Sequence, residues 1–183
     1  MFYVSGGKEN NAGGKYSSIS GGENNYANGN SSSVSGGDSN VASGLSSSIS
    51  GGNRNTASGN TSSASGGIRN IANGLMSSVN GGASNHATGS YSAVSGGELN
   101  VASGLYSSIS GGRSNEASGN DSSASGGGSN IASGLMSSVS GGETNEAIGD
   151  YSSVTGKLTK LCACLDLHES SSAKLSSHVR WKK

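Results

Sequence analysis

The chain has 183 residues, of which 33 are Gly and none is Pro, and eleven basic residues balance eleven acidic ones. Only 30% of the residues are hydrophobic and 4% aromatic, which excludes an ordinary globular core. Disordered chains usually carry a high net charge or many Pro residues, and this composition has neither feature.

The sequence repeats itself at every fifteenth position, beginning with its first residues. An aliphatic residue or Ala recurs at this interval from Val4 to Val154, and Gly-Gly follows it two places later in all but the last unit. Asn recurs in the same way from Asn10 to Asn145, with Ala two places after each Asn. The consensus V/I/A-S-G-G-x-x-N-x-A-S-G-x-x-S-S predicts stacked, nearly identical coils, which is the sequence signature of a solenoid.

Each unit divides into two halves that share one plan. Alternation along a strand predicts that Asn and Ala of the first half point inward, and that Ser and Val of the second half do so too. Gly residues are expected at the turns, because they tolerate positive φ and close backbone approach. We therefore predict an all-β protein, a parallel β-solenoid of about ten 15-residue coils over residues 4–156. Inner Asn side chains are expected to form ladders, bonding to neighbouring coils or to turn backbone.

A longer, 30-residue period is superimposed on the first. Apolar residues occupy two variable positions in alternate coils, and polar residues occupy them in the coils between. These apolar residues predict an interrupted outer stripe, widened by Met76 and Met136, that serves self-association, unless the pattern records gene duplication alone. A 30-residue coil, which would stack the leucines directly, is an alternative. The stripe comprises Val41, Leu45, Ile71, Leu75, Val101, Leu105, Ile131 and Leu135.

Serines flank the inner aliphatic position on the other strand, and alternation turns them outward. They predict a flat double row of hydroxyls that either keeps the sheet solvated or binds an ordered ligand such as ice or a polysaccharide. The residues of this candidate face are Ser48, Ser50, Ser63, Ser65, Ser108, Ser110, Ser123, Ser125, Ser138 and Ser140.

The repeat resembles the head repeats of trimeric autotransporter adhesins, the YadA-like left-handed β-roll. The matching stretches are Ser-Ser-Val-Ser-Gly-Gly, as at 32–37, and Asn-x-Ala-Ser-Gly, as at 40–44. The resemblance implies a left-handed roll, a trimer and a place at the cell surface. The stretch Asp-Ser-Asn-Val-Ala-Ser-Gly at 38–44 is also similar to the repeats of grass ice-recrystallisation inhibitors.

Motifs for catalysis or cofactor binding are not found in the repeats. No phosphate-binding loop occurs, and Asp38, Asp121 and Asp150 are too scattered for a calcium-binding β-roll. His86, at a variable outer position, is expected to be solvated rather than catalytic. Aromatic and basic residues do not alternate as in nucleic-acid binders. The sequence therefore predicts no enzyme activity, no cofactor, no metal and no nucleic-acid partner.

The period stops after Gly156, and residues 157–183 are predicted to be a separate tail. Apolar residues at helical spacing predict a short helical cap over 157–167, with the remainder disordered or the whole tail frayed. Cys162 and Cys164 together with His168 offer three metal ligands, which is too few for a closed zinc site.

These observations favour a non-enzymatic structural or adhesive rod that is extracellular or at the cell surface, as the adhesin resemblance implies. The alternative is an ice- or polysaccharide-binding solenoid that uses the serine rows. Partners expected on this basis are further copies of the chain, extracellular matrix, a polysaccharide or an ice surface. Neither a secretory signal nor an apolar stretch of about 18 residues, which a membrane-spanning helix would require, is evident in the sequence.

Overall fold

The computed structural model describes residues 2–156. The predicted helical cap over 157–167, the remainder of the tail, and Cys162, Cys164 and His168 lie outside the described residues.

Two parallel sheets made of two-residue strands form the body of the protein. The first, here the serine sheet, has eleven strands: β1 (Tyr3–Val4), β2 (Ser18–Ile19), β4 (Ser33–Val34), β6 (Ser48–Ile49), β8 (Ser63–Ala64), β10 (Ser78–Val79), β12 (Ala93–Val94), β14 (Ser108–Ile109), β16 (Ser123–Ala124), β18 (Ser138–Val139) and β20 (Ser153–Val154). The second, the alanine sheet, has nine: β3 (Tyr26–Ala27), β5 (Val41–Ala42), β7 (Thr56–Ala57), β9 (Ile71–Ala72), β11 (His86–Ala87), β13 (Val101–Ala102), β15 (Glu116–Ala117), β17 (Ile131–Ala132) and β19 (Glu146–Ala147).

Every strand pairs with the strand one repeat away, so the register of the sheets equals the period of the sequence. Val94 lies beside Ile109 in the serine sheet, and Ala87 lies beside Ala102 in the alanine sheet. The same register holds in all the strand pairs, with no slip at any coil. The prediction of a parallel β-solenoid with about ten 15-residue coils is confirmed, and the alternative coil of twice that length is excluded.

Four columns of inward side chains fill the interior, two from each half of the coil. The alanine sheet contributes Ala and Asn, and the serine sheet contributes an aliphatic residue and Ser, as alternation predicted. Ile49, Val94 and Ile109 are each 1% exposed or less, and full burial of such a side chain contributes about 1.5–3 kcal/mol. The core is thus a thin stack of small residues rather than a wide globular interior.

The apolar core has two interruptions, both at an Ala in the aliphatic column. Buried apolar contacts are continuous from Ile19 to Ala64, then from Ala72 to Ala124, and begin again at Ala132. Ala64 and Ala124 occupy positions where the other coils have Val or Ile, so they reach less far toward the next coil. A missing methyl contact of this kind lowers the stability of a packed interior.

Most hydroxyls of the inner serine column make no hydrogen bond within the described residues. Ser47 and Ser107 each donate a hydrogen bond of 2.8 Å to the carbonyl of the Gly three residues earlier. Among the residues that the structure describes, eight hydroxyls of this column are buried without a partner: Ser17, Ser32, Ser62, Ser77, Ser92, Ser122, Ser137 and Ser152. An unpaired buried hydroxyl costs free energy, so hydrogen bonds of these eight side chains do not account for the stability of the rod.

The turn after each serine-sheet strand depends on a glycine in the left-handed region. Gly52, the second of the Gly-Gly pair, has φ of 86°, and a Cβ built there would overlap the carbonyl oxygen of Gly67. The residue that follows, such as Asn53, forms a single-residue parallel bridge to the coils on either side. These bridges form a third ladder that the sequence analysis did not predict.

The turn after each alanine-sheet strand is built differently from the expectation. Its left-handed residue is not Gly but a residue such as Thr61, Met76 or Tyr91, whose φ values are 58°, 53° and 58°. The nearby Gly44 is needed instead for close approach, since a Cβ there would overlap the carbonyl oxygen of Gly59. Gly52 thus combines both roles suggested for glycine, whereas Gly44 serves close approach alone.

Candidate functional site

The asparagine column, from Asn10 to Asn145, joins each coil to the next through side-chain hydrogen bonds. The Asn55 amide donates through Nδ2 to the carbonyl of Gly51 in its own coil and to that of Gly67 in the following coil, both at 3.0 Å. Its Oδ1 accepts the backbone N–H of Asn70 at 2.9 Å. The amides therefore bond to neighbouring coils and to turn backbone, which is the ladder that the sequence predicted.

The serine face is the outer surface of the serine sheet, formed by the residues on either side of each inner aliphatic residue. Ser48 and Ser63 are half-buried, and Ser50 and Ser65 are exposed. Coils repeat at about 4.8 Å along the rod, and the two columns lie roughly 7 Å apart across it. Over residues 2–156 these two columns contain no Asp, Glu, Lys or Arg, so the face is polar and uncharged. The candidate serines lie here: Ser48, Ser50, Ser63, Ser65, Ser108, Ser110, Ser123, Ser125, Ser138 and Ser140.

The apolar stripe that the sequence predicted is divided between two parts of each coil. Four apolar residues lie half-buried on the outer face of the alanine sheet, beside Tyr, Thr, His or Glu of the adjacent coils: Val41, Ile71, Val101 and Ile131. Leu45, Leu75, Leu105 and Leu135 are exposed at the following turn. We call this turn row, together with the residue after each of its members, the leucine edge; the turn row is Lys15, Asn30, Leu45, Asn60, Leu75, Ser90, Leu105, Asn120, Leu135 and Asp150.

Alternation along the leucine edge has a hydrogen-bonding consequence that the sequence analysis missed. The Oδ1 atom of Asn60 accepts the backbone N–H of Leu45 in the preceding coil at 3.2 Å, and Asn120 does the same for Leu105. Asp150 accepts from Leu135 at 2.9 Å. A short side chain with an amide or carboxylate oxygen thus accepts a hydrogen bond from a backbone N–H in the turn of the preceding coil. The 30-residue period therefore has a structural role besides any origin by duplication.

Exposed apolar side chains are concentrated at the middle of the leucine edge. Leu75, Met76, Tyr91, Leu105 and Tyr106 belong to three consecutive coils and expose between 39% and 53% of their surface. The rings of Tyr91 and Tyr106 stack with centroids 4.9 Å apart and an interplanar angle of 21°. We call these five residues the mid-rod cluster; it is ordered by contacts along the rod and presents its outer side to solvent.

The third ladder, here the bridge row, carries charged contacts between coils. Lys8 Nζ lies 2.8 Å from Glu23 Oε1, and this hydrogen bond and the Glu23 charge raise the pKa of Lys8. Arg113 Nε lies 3.6 Å from Glu98 Oε2 in the adjacent coil. All four side chains are exposed, and pairs of this kind contribute little to stability.

A notch interrupts the bridge row at Gly128, where the other coils have a side chain. It has a volume of about 520 Å³ and lies between Arg113 and Glu143, with the remaining lining from backbone and serines. The notch is shallow and open, and its lining offers one cation and one anion but no apolar wall. Nothing in this lining selects a ligand class.

Groups that could support catalysis or metal binding are dispersed along the rod. In residues 2–156, no three His, Cys, Asp or Glu side chains come close enough to hold a metal ion. His86 is half-buried on the outer face of the alanine sheet between Ile71 and Val101. The same stretch contains no helix of the length and apolar character that crossing a membrane requires.

Comparison with known proteins leaves the repeat as the main guide to function. No protein-family model matches the chain, and a search among curated proteins finds no match either. What stands is a parallel β-solenoid with an uncharged serine face, an alanine-sheet face of mixed character, a leucine edge and a charged bridge row.

Proposed function

We propose that the protein is a non-enzymatic, extracellular structural or adhesive rod. The observation that carries this proposal is the unbroken register of the two sheets, which gives one continuous body with long faces of constant chemistry. Surfaces of this kind suit contact with extended partners such as extracellular matrix or a polysaccharide, because each coil repeats the same contact. The adhesin resemblance of the repeats supports the same function.

Side-chain ladders support the mechanical part of the proposal. Each Asn of the column joins its coil to the next through Oδ1 and Nδ2, as Asn55 does, in addition to the backbone bonds of the two sheets. A rod with this many bonds per coil resists bending between coils. Small-angle X-ray scattering is expected to give the profile of a stiff cylinder for the repeats; a flexible-chain profile would contradict the structural role.

Adhesion can be tested with the purified chain on plates coated with extracellular matrix or with polysaccharide. We expect saturable binding that is lost when Ser50→Glu and Ser65→Glu are introduced together on the serine face. The matched control places Ser43→Glu and Ser58→Glu on the alanine-sheet side, at exposed positions in neighbouring coils. Absence of binding to every coating would remove the adhesive role and leave the structural one. Equal loss in both variants would contradict the assignment to the serine face.

A second candidate function, binding to ice or to an ordered polysaccharide, is favoured by the geometry of the serine face alone. Two columns at a constant repeat of about 4.8 Å, with hydroxyls in all coils of the rod body except at Asn80 and Ala93, form a regular array without charge, which suits a regular ligand. Ser138 Oγ lies 3.0 Å from Ser153 Oγ, so neighbouring hydroxyls in this array can hydrogen-bond to each other. An ice-recrystallisation assay with the chain and with the same two double variants tests this candidate. Inhibition that survives Ser50→Glu with Ser65→Glu would exclude the serine face.

A further inference from the structure

The mid-rod cluster is an apolar surface on a protein whose other long faces are polar or mixed. Leu75, Met76, Tyr91, Leu105 and Tyr106 project from consecutive turns, and one further leucine of the turn row lies two coils beyond the cluster at each end. Regularly arranged exposed apolar side chains of this extent mark a contact surface.

We propose that the leucine edge is the interface of an antiparallel, two-fold symmetric homodimer centred on the coil of Tyr91. A two-fold axis there places Leu75 of one protomer opposite Leu105 of its partner, and Leu45 opposite Leu135. Asn60 then meets Asn120, while Met136 and Tyr151 meet Ser46 and Ser31. In a two-fold interface each contact between different residues occurs twice. The strip from Leu45 to Leu135 of each protomer faces the same strip of its partner, and it contains seven apolar side chains of this edge.

Charge on the leucine edge selects the antiparallel orientation. A parallel pair in register would place Asp121 against Asp121, Asp150 against Asp150 and Lys15 against Lys15. Like charges juxtaposed at an interface are strongly unfavourable. In the antiparallel pair Asp121 faces Thr61, and Asp150 faces Asn30, which are neutral and can donate hydrogen bonds. No like-charged pair forms among the residues that the structure describes.

The size of the edge sets the expected affinity. Nine coils at about 4.8 Å give a strip roughly 43 Å long. A stable interface buries about 800 Å² per partner, which would need a strip about 19 Å wide, broader than the turn row itself. The flanking serine columns would have to contribute, and we expect a dimer of moderate affinity, with Kd on the order of 1–100 µM.

Sedimentation equilibrium of the full chain tests the stoichiometry. We expect a reversible monomer–dimer equilibrium that the double variant Leu75→Glu with Leu105→Glu shifts to monomer by at least about tenfold in Kd, since these two positions face each other across the interface and the variant places like charges together there. The control is Leu99→Glu, another exposed leucine, which lies next to the bridge row. Circular dichroism of both variants verifies the fold. A monomer throughout the micromolar range, a trimer as the adhesin resemblance implies, or equal dissociation by Leu99→Glu would overturn the proposal.

Disulfide crosslinking tests the orientation. In a chain carrying Cys162→Ser and Cys164→Ser, Tyr91→Cys lies on the axis and is expected to form a crosslinked dimer on mild oxidation. Met136→Cys, also on the edge, would lie six coils from its copy, roughly 29 Å away, beyond the reach of a disulfide. Efficient crosslinking of Met136→Cys would indicate a parallel pair and contradict the antiparallel one. Failure of Tyr91→Cys to crosslink in a chain that still dimerises would also contradict it.

These outcomes are separable from those of the proposed function. Binding to matrix or polysaccharide is assayed on the serine face, whereas dimerisation is assayed on the leucine edge. Sedimentation equilibrium of the Ser50→Glu with Ser65→Glu variant, and plate binding of the Leu75→Glu with Leu105→Glu variant, show whether either property is lost without the other.

Discussion

The Oδ1 atom of Asn55 accepts a hydrogen bond from the backbone N–H of Asn70, 2.9 Å away in the following coil. The same amide donates to the carbonyls of Gly51 and Gly67, so one buried side chain pairs three backbone groups. The Asn53 N–H also donates to the Gly67 carbonyl at 2.9 Å, so the Gly51 carbonyl and the Asn70 N–H are the two groups that depend on the Asn55 amide. Backbone groups are costly when they are unpaired in the interior. The column of Asn residues is therefore the part of the sequence least open to substitution.

Asn55→Ala is expected to destabilise the rod by about 2–4 kcal/mol, because it leaves the Gly51 carbonyl and the Asn70 N–H unpaired, while the Gly67 carbonyl keeps its bond from the Asn53 N–H. The control is Asn60→Ala, since Asn60 lies on the exposed leucine edge and its side chain accepts one hydrogen bond, from the N–H of Leu45. Its loss is expected to cost about 0.5–1.5 kcal/mol. Urea denaturation followed by circular dichroism measures both values. Equal costs at the two positions would show that the Asn column is not the main tie between coils.

The two glycines of each pair are expected to respond very differently to alanine. Gly52→Ala forces a Cβ onto the Gly67 carbonyl at a φ of 86°, so we expect a loss of at least about 2 kcal/mol. A Cβ on Gly51 meets nothing within 4 Å, and its φ lies outside the left-handed region. Gly51→Ala should therefore change stability by less than about 1 kcal/mol. Thermal melting of the two variants side by side provides the comparison, and similar melting temperatures would be unexpected.

Ala124→Val is expected to stabilise the protein by about 0.5–2 kcal/mol. Buried apolar contacts end at Ala124 and resume at Ala132, while Val or Ile fills this column in most other coils. Ala117→Val serves as the control, because its column holds only Ala and a larger side chain there should cost about 1–3 kcal/mol. Chemical denaturation distinguishes the two effects by sign. A destabilised Ala124→Val protein would mean that no room exists beside Ala124.

Thr61→Gly is expected to raise stability by about 1 kcal/mol, because a β-branched residue at φ of 58° is strained and Gly is not. The matched control is Thr56→Gly in β7, where the extended backbone suits Thr and the change should cost about 0.5–1 kcal/mol. The difference in melting temperature between the two variants is the measurement. A loss of stability in Thr61→Gly would show that the Thr61 side chain contributes more than its backbone strain costs.

The fold could be predicted from the sequence because each buried position of the coil is occupied by the same residue type in nearly every repeat. Asn, Ala, the aliphatic residue and the inner Ser each return once per coil, and each occupies a buried column. Alternation along a strand then fixed which neighbours point outward, including Ser48 and Ser50 around Ile49. Both the register and the interior could be predicted on that basis.

Features set by backbone conformation or by a partner coil were not predictable in the same way. The left-handed position of the second turn is occupied by Thr61, Met76 and Tyr91, among others, so no Gly or Asn marks it in the sequence. The bridge row, with residues as different as Ile68 and Glu98, also lacks a recurrent residue type. The pairing of Asn60 with the N–H of Leu45 depends on contact across coils, although the strict alternation of Leu with polar residues was a visible signal for it.

The constant register has a consequence for how such a gene can change in length. Removing or adding one whole unit places two coils side by side that were not neighbours before. Each of them still packs against Asn, Ala, Ser and a small apolar residue in the same inner columns. Units exchanged in pairs also keep leucines of the turn row next to an Asn, Ser or Asp. Recombination between repeats would therefore lengthen or shorten the rod in whole steps of roughly 4.8 Å without a new packing problem.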